Sequence, residues 1–224
     1  MDRKQLVGQS ECELVPLQVG NKAFLVHQQV RQDLHALIQA ASSDGFQLYI
    51  ASGFRSFERQ LGIWNNKMSG GKPILDDDSH PMDTTALSDE QKVRAILRWS
   101  ALPGASRHHW GTDFDVYAGN LLPVDTSLAL EPWEYTQGHQ VPFYQWLKNN
   151  ASRYGFRFPY QQDRGGVAFE PWHISHHATA EQCLSQLSIT LLQETLEQSE
   201  ILGQRAILSQ LDYIYNQYIT NIQR

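Results

Sequence analysis

Strand-like and helix-like stretches follow one another along this chain without regular alternation, and that irregularity constrains the fold more than any other feature. FQLYIAS (46–52) reads as a short buried strand, and GTDFDVYA (111–118) alternates with a strand's period of two. Helical patterns surround them. Residues 27–43, HQQVRQDLHALIQAASS, place Val30, Leu34, Leu37 and Ile38 at helical spacing and stop at Asp44-Gly45. Residues 56–67 are helical, and so is QKVRAILRWS (91–100), opened by a capping box of Ser88 and Gln91. Residues 141–155 predict a helix with Gly155 as its C-cap. The intervening 68–86 is dense in Gly, Pro and Asp and reads as a loop, and VAFEPWHIS (167–175) as a loop running into a strand. Beyond Ala178 the pattern is helical with a break near Gly203, which predicts two helices carrying Leu191, Leu192, Ile207, Leu208, Leu211, Ile214 and Ile219. The expected fold is α+β: a small, mainly antiparallel sheet with flanking helices in residues 1–177, and a C-terminal helical extension, 178–224, packed on it.

Composition narrows the partners. The 224 residues are 41% hydrophobic and 19% charged, so a packed core is within reach. A net charge of −6 without a basic stripe argues against nucleic acid. Neither a leader-like apolar run near Met1 nor a stretch of roughly 18 apolar residues occurs, so no membrane partner is expected. The expected location is the cytoplasm, or the periplasm if a leader has been trimmed. Cys12 and Cys183, the two cysteines, are then expected as free thiols.

Chemistry concentrates in SRHHWGTDFDV, Ser106–Val116. In a strand, Asp113 and Asp115 share one face while Thr112 and Phe114 take the other. His108 and His109 are neighbours in an irregular stretch and diverge, so one histidine and one aspartate can meet. Catalytic zinc takes three protein ligands and keeps one position open, so a third must come from elsewhere. Of His27, His35, His80, His139, His173, His176 and His177, His173 stands out: it lies in EPWH, three residues after Glu170. A ligand beside a carboxylate that does not bind the metal is what a zinc hydrolase needs. EPWE (131–134) repeats the frame with Glu134 in the histidine's place and is expected only to pack its tryptophan. His139, His176 and His177 are expected at the surface, and His109 as a supporting or packing residue.

S-x-H-x-x-G-x-x-x-D (Ser106, His108, Gly111, Asp115) followed by E-x-W-H (Glu170, Trp172, His173) resembles the VanY-type zinc carboxypeptidases of the LAS group, and SGFRS-x-x-x-Q (Ser52–Ser56, Gln60) is similar to their upstream arginine motif. Three motifs in the family's order span residues 52–173; the C-terminal helices fall outside. The resemblance implies a LAS/Hedgehog-like peptidase core and one zinc ion per chain, held by His108, Asp115 and His173. It implies Glu170 as general base and Arg55 on the substrate's terminal carboxylate or the developing oxyanion, roles that suit a rigid cationic fork. Ser106 and Gln60 would add hydrogen bonds near the substrate terminus. Asp113 departs from the family pattern, which has a small residue there. Its carboxylate could orient a ligand histidine or pair with a cation on the substrate, so it joins Arg55, Gln60 and Ser106 as a candidate substrate-binding residue.

The implied substrate is a peptidoglycan stem peptide or muropeptide losing its terminal D-amino acid. Cytoplasmic pentapeptide is a wall precursor, whereas cytoplasmic tetrapeptide is a recycling product that must lose D-Ala before reuse. The expected location therefore favours LD-carboxypeptidase action on tetrapeptides over DD-carboxypeptidase action on D-Ala-D-Ala. A non-catalytic zinc-binding module is disfavoured because Arg55, Glu170 and all three ligands are present, and a phage-type endopeptidase would more often carry a wall-binding module.

Overall fold

In a computed structural model describing residues 1–223, two antiparallel sheets organise the molecule. After a short helix α1 (Arg3–Leu6), β1 (Leu14–Val19) and β2 (Lys22–His27) form a hairpin. The other sheet has the order β3-β4-β6-β5, built from β3 (Leu48–Ser52), β4 (Asp113–Ala118), β5 (Phe156–Arg157) and β6 (His173–His176), all antiparallel. The helices are α2 (Arg31–Ser43), α3 (Phe57–Met68), α4 (Asp89–Leu97), α5 (Pro132–Thr136), α6 (Val141–Asn150), α7 (His177–Gln186), α8 (Ile189–Glu197), α9 (Gln204–Leu208) and α10 (Leu211–Ile214), which runs into a π-helical turn, Tyr215–Ile219. The α+β architecture and small antiparallel sheets are those expected.

Several boundaries differ. The hairpin over 14–27 carries no clear pattern of alternation, since its exposed Lys22 and Ala23 share a strand with Val26 and His27. Because His27 closes β2, α2 starts at Arg31 rather than at residue 27. The helix expected over 141–155 is α6 followed by a 3-10 turn, Ala151–Tyr154, and Gly155 caps that turn. The C-terminal region is four helices and a π turn instead of two helices: α7 stops at Gln186, Ser188 caps α8 by accepting from the Leu191 amide, and Gly203 precedes α9.

Two apolar clusters fill the interior. Phe114, Val116 and Ile174 turn one face of the central strands toward Leu34 and Leu37 of α2 and Phe143 and Leu147 of α6. A separate cluster joins Leu6 of α1, Trp64 of α3, Val93, Ile96 and Leu97 of α4 and Trp110 to Cys183, Leu192, Ile207 and Ile214 of the C-terminal helices. Trp64 Nε1 donates to the Leu202 carbonyl (3.1 Å), so those helices are tied to α3 by a polar bond as well as by packing. The opposite face of β4 and β6 is left for polar side chains.

Candidate metal centre and active-site cleft

Three segments converge on that polar face. β4 pairs with β6 so that Asp115 stands opposite His173 and Asp113 opposite Ser175; the period of two puts all four on one face. A 3-10 turn, Arg107–Trp110, delivers His108 just before β4. It closes on Gly111, whose φ is +66°. A Cβ there would lie 2.9 Å from the His27 amide nitrogen and 2.6 Å from Leu14 Cδ2, so the sharp entry into β4 against the hairpin requires glycine. Gly53 and Arg55 come from the stretch after β3, where the Arg55 amide donates to the His108 carbonyl (3.1 Å).

The hydrogen bonds set which ring nitrogen of each histidine is free. His108 Nδ1 donates to the Gly53 carbonyl (3.0 Å), leaving Nε2 facing Asp115 Oδ2 at 3.5 Å. His173 Nε2 donates to Asp113 Oδ1 (3.0 Å), leaving Nδ1 3.3 Å from Asp115 Oδ1 and 3.2 Å from Glu170 Oε2. One ligand atom from each of His108, Asp115 and His173 lies within 4.8 Å of the others, and all three residues are buried. Asp115 Oδ1, though within 3.3 Å of the imidazole, makes no hydrogen bond. A buried carboxylate oxygen without a donor is costly, and one ring nitrogen from each of His108 and His173 converges beside it. This N,N,O set, closed on one side and open on the cleft side, fits a divalent cation and suits zinc.

Charge around the site points the same way. Burial opposes protonation of His173, but Asp113, Asp115 and Glu170 outweigh it and raise its pKa well above the usual imidazole value. Three carboxylates around one ring are a field that also draws a metal cation. His108, by contrast, is pushed down to about 3 by burial and then by Arg55, so its imidazole is neutral, as a metal ligand's must be. Burial, then the nearby Asp115, raises the Glu170 carboxyl against the opposing hydrogen bond to His173. That is the direction that makes a carboxylate a better base near neutral pH.

Arg55 sits over this cluster with its fork pre-set. Nη1 donates to Gln60 Oε1 (2.9 Å), Nη2 donates to Ser52 Oγ (2.8 Å), and Nη2 is 3.8 Å from Asp115 Oδ2. The cleft measures about 280 Å³, and Arg55, Ser106, His108, Asp115, Glu170 and His173 all line it. Ser106 is buried and its Oγ has no hydrogen-bond partner.

Two candidate substrate-binding residues do not reach the cleft as expected. Gln60 is fully buried; its amide nitrogen donates to the Ala101 carbonyl (2.7 Å) while its oxygen holds Arg55, so it positions the arginine instead of meeting substrate. Asp113 is also fully buried, and its carboxylate accepts from Arg107 Nε (2.7 Å), His173 Nε2 (3.0 Å) and Thr112 Oγ1 (2.5 Å). With both oxygens engaged and no exposure, it cannot receive a substrate ammonium. Of the two roles left open for it, the geometry is that of orienting the ligand histidine. Burial raises its pKa, but Arg107 and then His173 hold it well below the usual carboxylate range.

Among the remaining residues some expectations hold and others shift. His109 turns away from the ligands: Nε2 accepts from the Gly104 amide (3.1 Å), and Nδ1 donates to the Arg55 carbonyl (2.6 Å), so it supports the arginine segment. Burial pushes it down to about 4. His177 is exposed, but His176 is buried, with Nε2 2.9 Å from Asp33 Oδ2 and Nδ1 3.0 Å from Thr179 Oγ1. His139 is partly buried, 3.2 Å from Glu134. In EPWE the glutamate is the packed residue: Glu134 caps α5 from within while Trp133 is 52% exposed. Sequence reasoning passed over Arg107 and Tyr160. Arg107 stands between two motif residues, a signal that could have been weighed. Tyr160, whose ring lies edge-on to His173 at 5.0 Å, has no local signal at all.

Comparison with known proteins gives the family and the fold. The D-alanyl-D-alanine carboxypeptidase VanY family model matches residues 23–179, and the chain belongs to that family. A Haemophilus influenzae protein described only as uncharacterised is 38% identical over 121 residues, covering 53% of this chain and 92% of that one. The structure of VanYB in complex with D-alanine-D-alanine superimposes with a TM-score of 0.53 at 24% identity, over 84% of this chain and 90% of that one. LdcB, an LD-carboxypeptidase described with its basis of peptidoglycan recognition, gives a TM-score of 0.53 at 21% identity, over 85% and 79%. The shared fold is that of the peptidoglycan carboxypeptidases of VanY and LdcB type.

Proposed function

We propose that this chain is a zinc-dependent carboxypeptidase that removes the terminal D-amino acid from peptidoglycan stem peptides, acting as an LD-carboxypeptidase on tetrapeptides. The observation that carries the reading is the convergence, on one cleft, of three facing ligand atoms, a carboxylate that is free to move protons and a braced arginine. His108, Asp115 and His173 would hold the zinc ion, which when bound supplies a more acidic water and polarises the scissile carbonyl.

The chain's own groups do the rest. Glu170, at the cleft wall with its pKa raised, takes a proton from the attacking water as the oxygen bonds to the carbonyl carbon. It returns that proton to the amide nitrogen as the C–N bond breaks, so a free D-amino acid and a shortened peptide leave. Arg55 faces the same space and meets the substrate's terminal carboxylate or the charge developing on the carbonyl oxygen. Ser52 and Gln60 keep its fork from rotating away, and Asp113 keeps the His173 ring turned so that Nδ1 faces the cleft.

The LD reading goes with a proposed cytoplasmic location, where tetrapeptide is the fragment that needs trimming. The family's own description favours the second reading, DD-carboxypeptidase action on pentapeptides. Incubating the zinc-loaded protein with tripeptide-, tetrapeptide- and pentapeptide-bearing muropeptides, and weighing the products, separates the two. Conversion of tetrapeptide to tripeptide is the expected result. Conversion of pentapeptide alone means the DD bond, and zinc binding with no product from either means a non-catalytic module.

A further inference from the structure

Lys67 is the one cation of the cleft wall that neither touches the metal ligands nor has an acidic partner among the described residues. It lies in the last turn of α3, partly buried, and its Nζ donates to Ser100 Oγ at 2.8 Å. A hydroxyl oxygen supplies a dipole but no countercharge. Burial lowers the Lys67 pKa, and the charge of a second cation, Lys72, lowers it further. Drawing an ammonium partly out of water without a carboxylate is unfavourable, and a lysine with a free path extends its head into solvent. Here the head is bent onto the cleft wall instead. The other cations are spoken for: Arg55 is braced over Asp115, Arg107 is paired with Asp113, and Arg98, outside the cleft, with Asp77 and Asp163. Ala101 follows Ser100 and accepts from Gln60, which also holds Arg55, so the lysine and the arginine lie along one connected stretch of wall.

We propose that Lys67, with Ser100, is a specificity subsite that binds a carboxylate of the peptide substrate. The inference rests on the carboxypeptidase reading for the nature of the substrate, and it adds a second point of recognition beside Arg55. A diaminopimelate-containing tetrapeptide has carboxylates at its D-Glu α-position, on its diaminopimelate side chain and at its D-Ala terminus, and each has the same charge-assisted bond to offer.

The test compares four peptides, the free tetrapeptide and its three singly amidated forms, by calorimetric titration in a Glu170→Gln background that suppresses turnover. Lys67→Met, which keeps the stem and removes the charge, is the variant; Lys67→Gln serves if that protein does not fold. Loss of one charge-assisted bond should weaken binding of the free peptide about tenfold or more. One amide should bind the unaltered Lys67 protein equally weakly and lose nothing further in the variant, and that amide identifies the carboxylate. If the variant weakens all four peptides by the same factor, or none, the subsite does not exist. A protein that binds the peptides with this pattern but, with Glu170 restored and zinc loaded, releases no D-amino acid retains the subsite and loses the carboxypeptidase reading. One that binds none of the four loses both.

Discussion

Asp113 shows how much one carboxylate can hold together at the residue scale. Sequence placed it on the ligand face, and there it supports two other groups: it keeps the His173 ring oriented and it neutralises Arg107, a fully buried guanidinium that also donates to Ser175 (2.7 Å) and stacks over Trp110. Asp113→Asn should therefore do two things at once. Leaving Arg107 without its partner should destabilise the fold by about 3–5 kcal/mol, the range for breaking a buried pair. Releasing the His173 ring should weaken zinc affinity by about 10- to 100-fold, measured by competition with a chelator. Wild-type zinc affinity in that variant, with damage confined to cleavage of peptides bearing a side-chain amine, would instead restore the substrate-ammonium role.

Placement of the candidate ligands depends on elements more than on any single side chain. The antiparallel pairing of β4 with β6 is what brings Asp115 opposite His173 across 58 residues of sequence, and a register slip of one residue would turn the ligands into the apolar core. The turn carrying His108 is held from behind by the β1–β2 hairpin, where the His27 amide donates to the Gly111 carbonyl (2.8 Å). Gly111→Ala asks a residue with a Cβ to adopt a left-handed conformation against that backbone. Strain of this kind costs about 1–3 kcal/mol, and the close approach adds to it. A fall in melting temperature of about 4–8 °C is expected from roughly 2 kcal/mol in a chain of this size. An unchanged melting temperature would mean that the hairpin yields and does not brace the turn.

For the whole molecule, the question is how the C-terminal helices relate to the rest. We propose that residues 1–177 are the catalytic domain and 178–224 an extension packed on it. The shared cluster of Leu6, Trp64, Trp110, Cys183, Leu192 and Ile207 makes the two parts one cooperative unit. The free cysteines report on this. Cys12 is exposed, whereas Cys183 is buried, 3.8 Å from the Met1 sulfur, with its thiol pushed up to about 12 by burial. A thiol reagent added to native protein should label Cys12 quickly and Cys183 only as fast as the molecule unfolds globally. Labelling of Cys183 well below the denaturant midpoint seen by near-ultraviolet circular dichroism would show that the extension detaches on its own.

Motif residues were legible in the sequence because their chemistry is local: His108 and Asp115 lie on one short turn and strand, Glu170 and His173 within four residues, and the period of two assigned Asp113 to the ligand face. The α+β class was legible as well, from apolar periods that do not depend on context. Other features came only with tertiary structure. The hairpin over 14–27 is stabilised by pairing and by contact with Gly111, not by its own alternation. His176 is inside because α2 brings Asp33 to it from 143 positions away. Gln60 faces the protein because Ala101 and Arg55 occupy its amide, and Lys67 stands without a countercharge because, among the described residues, none pairs a carboxylate with it. Local periodicity decides which way a side chain leaves its own strand or helix. What that side chain then meets, and so whether it touches substrate or supports a neighbour, depends on segments far away in sequence.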